Sequence, residues 1–426
     1  MYTELARTDL RTGDLQIAAD RMSAVEQLER VLAVLRPVLD IVSSPVEEAA
    51  APGWCERRGW SEFLLSLTRD ELEDCEANGL ESRVLELGRA PDGFRRLFAD
   101  VRRLTRLPLL ASSPLSVPAE ALRGVPERKR EQLRTLLGVL APSAARATRI
   151  VDVGAGSGHF SRLSAELFQR RTVALDRNAA LVRNGLDRSQ QRSREVGALA
   201  VDFVTADLAR EPLALRSTDL AVGLHACGEL GDQLALAAAL AGCELSLVSC
   251  CLQKIQGSER VALSRAASGF RLRKADLGLT NLTLRREGVE ASLRENLRAR
   301  ETRLALRRLL RARGVDVRPG EEMRGVNRRR AHAGFRELAS RVLASRALPP
   351  ATDAELTLHE ESARSEHLSM RRFSLPRHLL SRLVELAVVF DRAALLEERG
   401  SAVQVVQLFE DAITPRNTLL LAERRK

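Results

Sequence analysis

The segment Arg149-Ile-Val-Asp152-Val-Gly154-Ala155-Gly156-Ser-Gly158-His159-Phe160 constrains this chain more than any other. A short apolar strand runs into a turn with glycine at every second position, and helical periodicity follows from about Ser161 to Gln169. Glycine adopts positive φ at no steric cost and lets the backbone pass close to a ligand. The helix behind the turn aims its unpaired N-terminal amides at the same point. Strand, tight glycine turn and helix, in that order, specify the first unit of an open α/β sheet with a binding site at the turn.

The rest of the chain supports that architecture. Strands are predicted near Ile150–Val153, Thr172–Leu175, Ala198–Thr205, Leu220–Leu224 and Leu245–Cys250, with helices near 161–169, 178–187 and 231–241. Such alternation builds a parallel sheet covered on both faces. An apolar helix (Leu379–Phe390) then precedes a strand at Ala402–Leu408, and the turn Ile413–Asn417 leads to Thr418–Ala422, a closing antiparallel hairpin. Residues 1–118 read as a helical N-terminal region: Leu28, Val31, Leu32, Leu35 and Val38 recur at helical spacing, and Thr68 is a helix N-cap. Pro108, Pro114 and Pro118 mark its end. Residues 119–426 form the α/β domain, interrupted after the fifth strand by a helical, arginine-rich insertion over 252–372 that is poor in strand signals.

Composition bounds the function classes. No apolar run reaches the roughly 18 residues that span a bilayer, and the start Met1-Tyr-Thr-Glu-Leu5 lacks the basic-then-apolar form of a signal peptide, so a cytoplasmic protein with no membrane association is expected. The net charge of +10 is carried by arginine, since Lys129, Lys254, Lys274 and Lys426 are the only lysines. That excess has two readings: the codon usage of a GC-rich genome, or a polyanionic partner, most simply RNA. Six cysteines, at 55, 75, 227, 243, 250 and 251, include no Cys-x-x-Cys pair and are read as reduced thiols.

The glycine spacing separates cofactor classes. A dinucleotide turn, Gly-x-Gly-x-x-Gly, requires glycine where His159 stands, which disfavours a nicotinamide-dependent oxidoreductase. The observed Asp152-x-Gly154-x-Gly156-x-Gly158 instead resembles motif I of class I S-adenosylmethionine-dependent methyltransferases, which implies that Asp152, Gly154, Ala155, Gly156 and Gly158 bind that cofactor. Asp176, about 20 residues beyond the turn, either accepts the ribose hydroxyls or caps the helix that follows. Asp207, ending the third strand, resembles the acidic position that contacts adenine, with a plain turn residue as the alternative. Ligands of open α/β sheets bind at the carboxyl ends of the strands, so His225, Cys227, Cys250 and Cys251 should surround the methyl donor. His225 is the candidate general base, with core packing or cofactor contact as the competing role. The cysteines offer zinc-type ligands, but their spacing forms no zinc signature and packed strand ends account for them, so no metal is expected.

With these residues assembled, the chain resembles the methyltransferase-like 25 family and the related proteins named for a ribosomal RNA adenine dimethylase domain. The resemblance rests on Trp60-Ser-Glu-Phe63-Leu-Leu-Ser-Leu-Thr68-Arg-Asp-Glu-Leu72, the Lys129-containing helix before the first strand, and the segment Val151–Arg162. It extends to Gly223-Leu-His225-Ala-Cys227-Gly-Glu-Leu230, Ser249-Cys250-Cys251 and Thr414-Pro-Arg-Asn417, nearly end to end. It implies a Rossmann-like class I fold and methyl transfer from S-adenosylmethionine, with Lys129, Cys227, Cys250 and Cys251 on the substrate side. Two departures limit it. Leu252-Gln253 stands where family members carry an aromatic residue, and no Asn-Pro-Pro-Tyr motif is present, so adenine dimethylation is not implied. RNA leads as acceptor, by phosphate attraction to the insertion rather than by base reading. With aromatic residues at only 3%, a stacking platform for single strands is not expected. The alternative function is a non-catalytic RNA- or protein-binding module on the same fold.

Overall fold

A computed structural model describes residues 22–110, 114–197, 199–208, 211–283, 293–409 and 417–425, without the side chains of Arg128, Val196, His225, Leu282, Thr283 and Leu293. Ile413, Thr414, Pro415 and Arg416 of the expected closing turn lie outside the described residues. The chain divides into two compact units, one holding the described residues of 1–33, 104–280 and 383–426, the other 34–103 and those of 281–382.

The first unit is built on β1 (Arg149–Val153), β2 (Arg171–Asp176), β3 (Val201–Thr205), β4 (Asp219–Cys227), β5 (Glu244–Cys250), β6 (Glu259–Val261), β7 (Arg271–Arg273), β8 (Ser401–Gln407) and β9 (Thr418–Arg424). Seven of these form one sheet in the order β3-β2-β1-β4-β5-β9-β8, parallel through β5 and antiparallel from β9 onward. It is the expected doubly wound sheet with its closing antiparallel pair. Its central strands are continuous apolar runs because both faces are covered: Ile150, Val151 and Val153 of β1, Leu220 to Val222 of β4, and Leu245, Leu247 and Val248 of β5 are all buried. The helices Glu127–Arg146 and His159–Phe168 cover one face, placing Leu133, Leu136, Leu137 and Leu140 with Phe160 and Leu163 in one core cluster. Arg149 and Asp219, opposite each other where β1 and β4 begin, form a two-bonded pair at 3.0 and 2.6 Å.

Two features of this unit depart from the sequence reading. The proline-marked stretch is tied to the sheet edge: Leu110 N–H donates to Gln407 O and Gln407 N–H to Pro108 O, both at 2.9 Å. Residues 252–280 stay with the sheet, and β6 and β7 pair as an antiparallel ribbon where a helical insertion was expected to begin. Three-residue strands are too short to leave a periodic signal.

A buried ionic network holds this ribbon. Arg392, on helix Ser381–Glu398 and 0% exposed, donates to Asp232 Oδ1 at 2.7 Å, Ser249 Oγ at 2.8 Å and Gly228 O at 2.8 Å. Arg260 of β6 bonds Asp232 at 2.9 Å and Asp391 at 2.8 Å, and Asp391 also accepts from Leu263 N, Ser264 N and Ser264 Oγ. Burial pushes the Asp232 carboxyl up, but Arg392 and Arg260 outweigh it and hold the group below the usual carboxylate range.

The second unit contains the Trp60–Leu72 stretch. Thr68 and Glu71 form a reciprocal capping box on helix Arg69–Asn78. Trp60, Phe63, Phe94 and Phe98 pack edge to face or tilted, with Phe94 at 5.1 Å from Trp60 and 4.5 Å from Phe98. Helices Leu293–Ala312, Phe335–Ser345 and Asp353–Leu379 share a core through Leu306, Leu309, Leu338, Val342 and Ala363. Arg371 pairs with Glu76 through bonds of 3.0 and 2.7 Å, 295 residues apart in the chain. The sequence reading kept 1–118 and 252–372 apart, whereas 34–103 and the described part of 281–382 share one unit, a grouping that periodicity does not encode.

Removing one member of a buried ion network leaves its partners charged and unpaired. Arg392→Ala is therefore expected to lower unfolding free energy by about 3–5 kcal/mol, measured by denaturant titration of the full chain. An unchanged midpoint would show that the network contributes nothing net.

Candidate functional site

The order β3-β2-β1-β4-β5 places the topological switch between β1 and β4, and the loops leaving their carboxyl ends form the crevice in which such sheets bind ligands. Gly154, Gly156 and Gly158 turn the chain there with φ of 77°, 59° and 69°, and the following helix begins at His159, two residues earlier than its periodicity suggests. The glycines differ in what they allow. No atom lies within 4 Å of where a Cβ on Gly156 would sit, so the turn is open at its middle. A Cβ on Gly158 would overlap the ring of Phe203 on β3, which also fills the space over Gly185.

Asp176, at the end of β2, ties the turn down. Its Oδ2 accepts the Gly156 N–H at 2.8 Å and its Oδ1 the Asn178 N–H at 2.9 Å. The helix cap itself is Asn178, whose Oδ1 accepts from Ala180 N and Leu181 N. The half-buried Asp207 lies just past the end of β3, with its backbone carbonyl accepting from Glu211 N at 2.9 Å.

Beneath the turn, Asp152 is 2% exposed and accepts from Ser161 Oγ at 2.5 Å. Burial pushes its carboxyl up to about 7, opposed by the Ser161 hydrogen bond and reinforced by the charge of Asp176. His159 moves the other way: burial first, then the positive charges of Arg162, Lys129 and Arg188, lower it to about 4. Lys129, exposed on helix Glu127–Arg146, thus lies within electrostatic reach of the turn.

Across the crevice, β4 carries a bulge: Leu224 pairs with Val248 and Ala226 with Ser249, which leaves His225 as the extra residue. The bulge sets the backbone of His225 at the carboxyl end of β4; its side chain is outside the described atoms. The ends of β4 and β5 are locked together, since Gly228 N–H donates to Cys250 O at 3.3 Å and Glu229 N–H to Lys254 O at 3.0 Å. A Cβ on Gly228, at φ 49°, would run into the Lys254 carbonyl. Cys227 Sγ lies 2.9 Å from Cys250 Sγ, and these two and Cys251 Sγ all fall within 4.8 Å of one another. The expectation of no metal rested on chain spacing; the pairing of β4 with β5 and a left-handed Cys251, at φ 38°, create a proximity that spacing conceals.

Residues 128–258 match a family model described as a methyltransferase domain. The fold is that of a class I methyltransferase. A glutathione S-transferase C-terminal domain-containing protein of Xenopus laevis is 29% identical over 156 residues, 37% of this chain and 24% of that protein. The protein so described from Homo sapiens is 32% identical over 107 residues, 25% of this chain and 16% of that one. The chain thus spans a quarter or less of the length of these curated relatives. The magnesium protoporphyrin IX methyltransferase of Synechocystis PCC 6803, solved with bound SAM, is 18% identical at a TM-score of 0.23, covering 39% of this chain and 73% of that one.

Sequence reasoning missed four residues that shape the crevice: Ser161, Phe203, Lys254 and Arg392. Ser161 and Phe203 matter through contacts with Asp152 and Gly158, at separations that no helical or strand period links. The one available signal was Phe203 itself, an aromatic residue in a strand that must find room among small neighbours.

Asp152 and His159 have opposite pH signatures. With its pKa raised in the folded state, Asp152 contributes stability at low pH that is lost as pH rises from about 4 to about 7. With its pKa lowered, neutral His159 contributes stability above about 6.5 that is lost as pH falls to about 4. The two partly cancel, so relative to the parent Asp152→Asn should gain stability as pH rises across this window and His159→Ala should lose it. Thermal unfolding from pH 4 to 7 measures both, and parallel curves for all three proteins would refute the assignment.

Proposed function

We propose that this chain is an S-adenosylmethionine-dependent methyltransferase whose cofactor lies over Gly154–Gly158 in the crevice between the ends of β1 and β4. The observation that carries the reading is the open glycine turn whose central amide is held by Asp176, within residues matching a methyltransferase domain. The residues fit that cofactor: the space over Gly156 admits it, and a carboxylate oxygen that accepts one amide retains a lone pair for a hydroxyl.

When bound, the cofactor supplies an electrophilic methyl group on a sulfonium. The backbone of Gly154 to Gly158, bare of side chains at three of its five positions and with Ala155 small enough to permit close approach, would hold its methionine end. Asp176 would accept from the two ribose hydroxyls and Asp207 from the adenine amino group. Asp152 acts from below, holding the turn through Ser161. His225, on the β4 bulge, takes a proton from the acceptor, while Lys129, Cys227, Cys250 and Cys251 face the acceptor side. Methyl transfer asks mainly for orientation, so the rigid ends of β4 and β5 matter more than a large catalytic set.

The finer kinship, to the methyltransferase-like 25 family, belongs to the same proposal and rests on His225-Ala-Cys227-Gly228, Cys250-Cys251 and Trp60–Leu72. RNA is the proposed acceptor. Its support is the +10 charge and a cavity of ≈330 Å³ in the second unit, lined by Arg300, Arg303, Arg307, Arg328 and Arg371 among others. Pairing of Arg307 with Glu322 and of Arg371 with Glu76 reduces the charge this cavity offers. A cytoplasmic location completes the proposal; no described helix is long and apolar enough to cross a membrane.

Titration calorimetry should show saturable binding of S-adenosylmethionine and none of NAD, with Asp176→Ala weakening the former at least about tenfold, the loss of one or two charge-assisted hydrogen bonds. Undiminished affinity would remove Asp176 from the site. For the acceptor, labelled cofactor and fractionated RNA should give labelled RNA, with binding that weakens steeply as salt rises. Label confined to protein or small-molecule fractions would reject RNA, and cofactor binding without transfer to any fraction would make the chain a binding module.

A further inference from the structure

The thiols of Cys227, Cys250 and Cys251 converge at the carboxyl ends of β4 and β5, on the side of the sheet where ligands bind. Two of them are consecutive, and consecutive residues of a strand point to opposite faces. Cys251 breaks that rule by leaving β5 at φ 38°, a left-handed conformation that is sterically unfavourable for a non-glycine residue. Backbone held in such a conformation collects at ligand clamps and active sites. Here its effect is to keep the Cys251 thiol with that of Cys250 and within reach of Cys227 on the neighbouring strand.

We propose that Cys227, Cys250 and Cys251 bind a thiophilic divalent ion of the zinc class through three thiolates, with an exchangeable fourth ligand from solvent or from a molecule in the crevice. Zinc holds thiolates at about 2.3 Å, which puts two sulfurs of a tetrahedral site about 3.8 Å apart. Cys227 Sγ and Cys250 Sγ stand 2.9 Å apart and all three Sγ atoms lie within 4.8 Å of one another, so shifts of about an ångström bring the set to that separation. The charges also balance. Three thiolates and a divalent cation leave one negative charge, and Lys254 Nζ stands 3.8 Å from Cys227 Sγ.

The surroundings are built to hold this geometry. Gly228 N–H bonds Cys250 O, Glu229 N–H bonds Lys254 O, and Lys254 N–H bonds Cys251 O at 3.0 Å, so both cysteine-bearing segments are pinned to each other. Arg392 fixes Ser249 and Gly228 from below. No other described Cys, His, Asp or Glu joins the cluster; the side chain of His225, two residues before Cys227, is outside the described atoms. Binding exchanges protons for metal with no change of oxidation state: up to three thiol protons are released as three sulfur–metal bonds form. The site does not depend on the methyl-donor reading, since none of its ligands lies on the glycine turn.

The test uses the full chain, reduced and stripped of metal, without S-adenosylmethionine. Zinc titration should load one ion per chain, and X-ray absorption of the loaded protein should count three sulfur neighbours at about 2.3 Å. The cobalt form should show intense sulfur-to-cobalt charge transfer and tetrahedral d–d bands. Cys227→Ser, Cys250→Ser and Cys251→Ser should each weaken binding more than about tenfold, a loss at least as large as outer-shell changes cause, while Cys55→Ser changes nothing. Fewer than two sulfur neighbours in the wild-type absorption spectrum, or zinc retained equally by the three serine variants, would overturn the proposal. So would quantitative formation of a Cys227–Cys250 disulfide in air at a rate that saturating zinc does not slow. The absorption measurement needs only the wild-type chain, so a variant that fails to fold leaves the test intact.

Discussion

Arg392 is the charge around which the sheet-bearing unit is organised. A guanidinium with no exposed surface carries a large desolvation cost, which only well-placed partners offset. Asp232, Ser249 and Gly228 supply them from three points, and Arg260 and Asp391 close the network so that two positive and two negative groups are buried together. Hydrophobic packing of the same volume would stabilise the fold as well or better, but it would not fix the backbone carbonyl of Gly228 against the hydroxyl of Ser249. Those two atoms belong to the ends of β4 and β5, so the network determines the geometry of one wall of the crevice.

The opposite wall is held by lighter means. Asp176 spans two amides, Asn178 caps the adjoining helix, and Phe203 presses on Gly158 and Gly185. Beneath them Asp152 is buried against Ser161 while His159 sits among cations. A carboxyl that burial leaves only partly ionised at neutral pH and an imidazole that burial and like charge keep neutral limit the charge inside the turn. The amides of Gly154 and Ala155 donate to Leu175 O and that of Gly156 to Asp176, so the turn is held in shape by hydrogen bonds to β2.

Much of the first unit was legible in the chain. Alternating apolar runs located all five parallel strands and the final pair to within a few residues, and the glycine turn located the crevice. The ribbon of β6 and β7 was not legible, because three residues carry no period. Nor was the grouping of 34–103 with 281–382, which depends on pairings such as Arg371 with Glu76 across 295 residues. The contact of Asp176 with the turn follows from one strand–helix–strand unit, which sets its distance along the chain. The thiol cluster was discounted because Cys227 lies 23 residues from Cys250 and no zinc signature has that spacing.

The sequence alone determined the sheet, its order of secondary structure and the position of the glycine turn. Side-chain direction repeats every two residues in a strand and about every 3.6 in a helix, so burial leaves a periodic record in the chain. Tertiary structure decided which groups meet: Arg392 with Asp232 across 160 residues, Phe203 with Gly158, and three thiols at a bulged and left-handed strand end. Those meetings depend on strand register and backbone torsion at single positions, Leu224 to Ala226 and Cys251, where no period exists to be read.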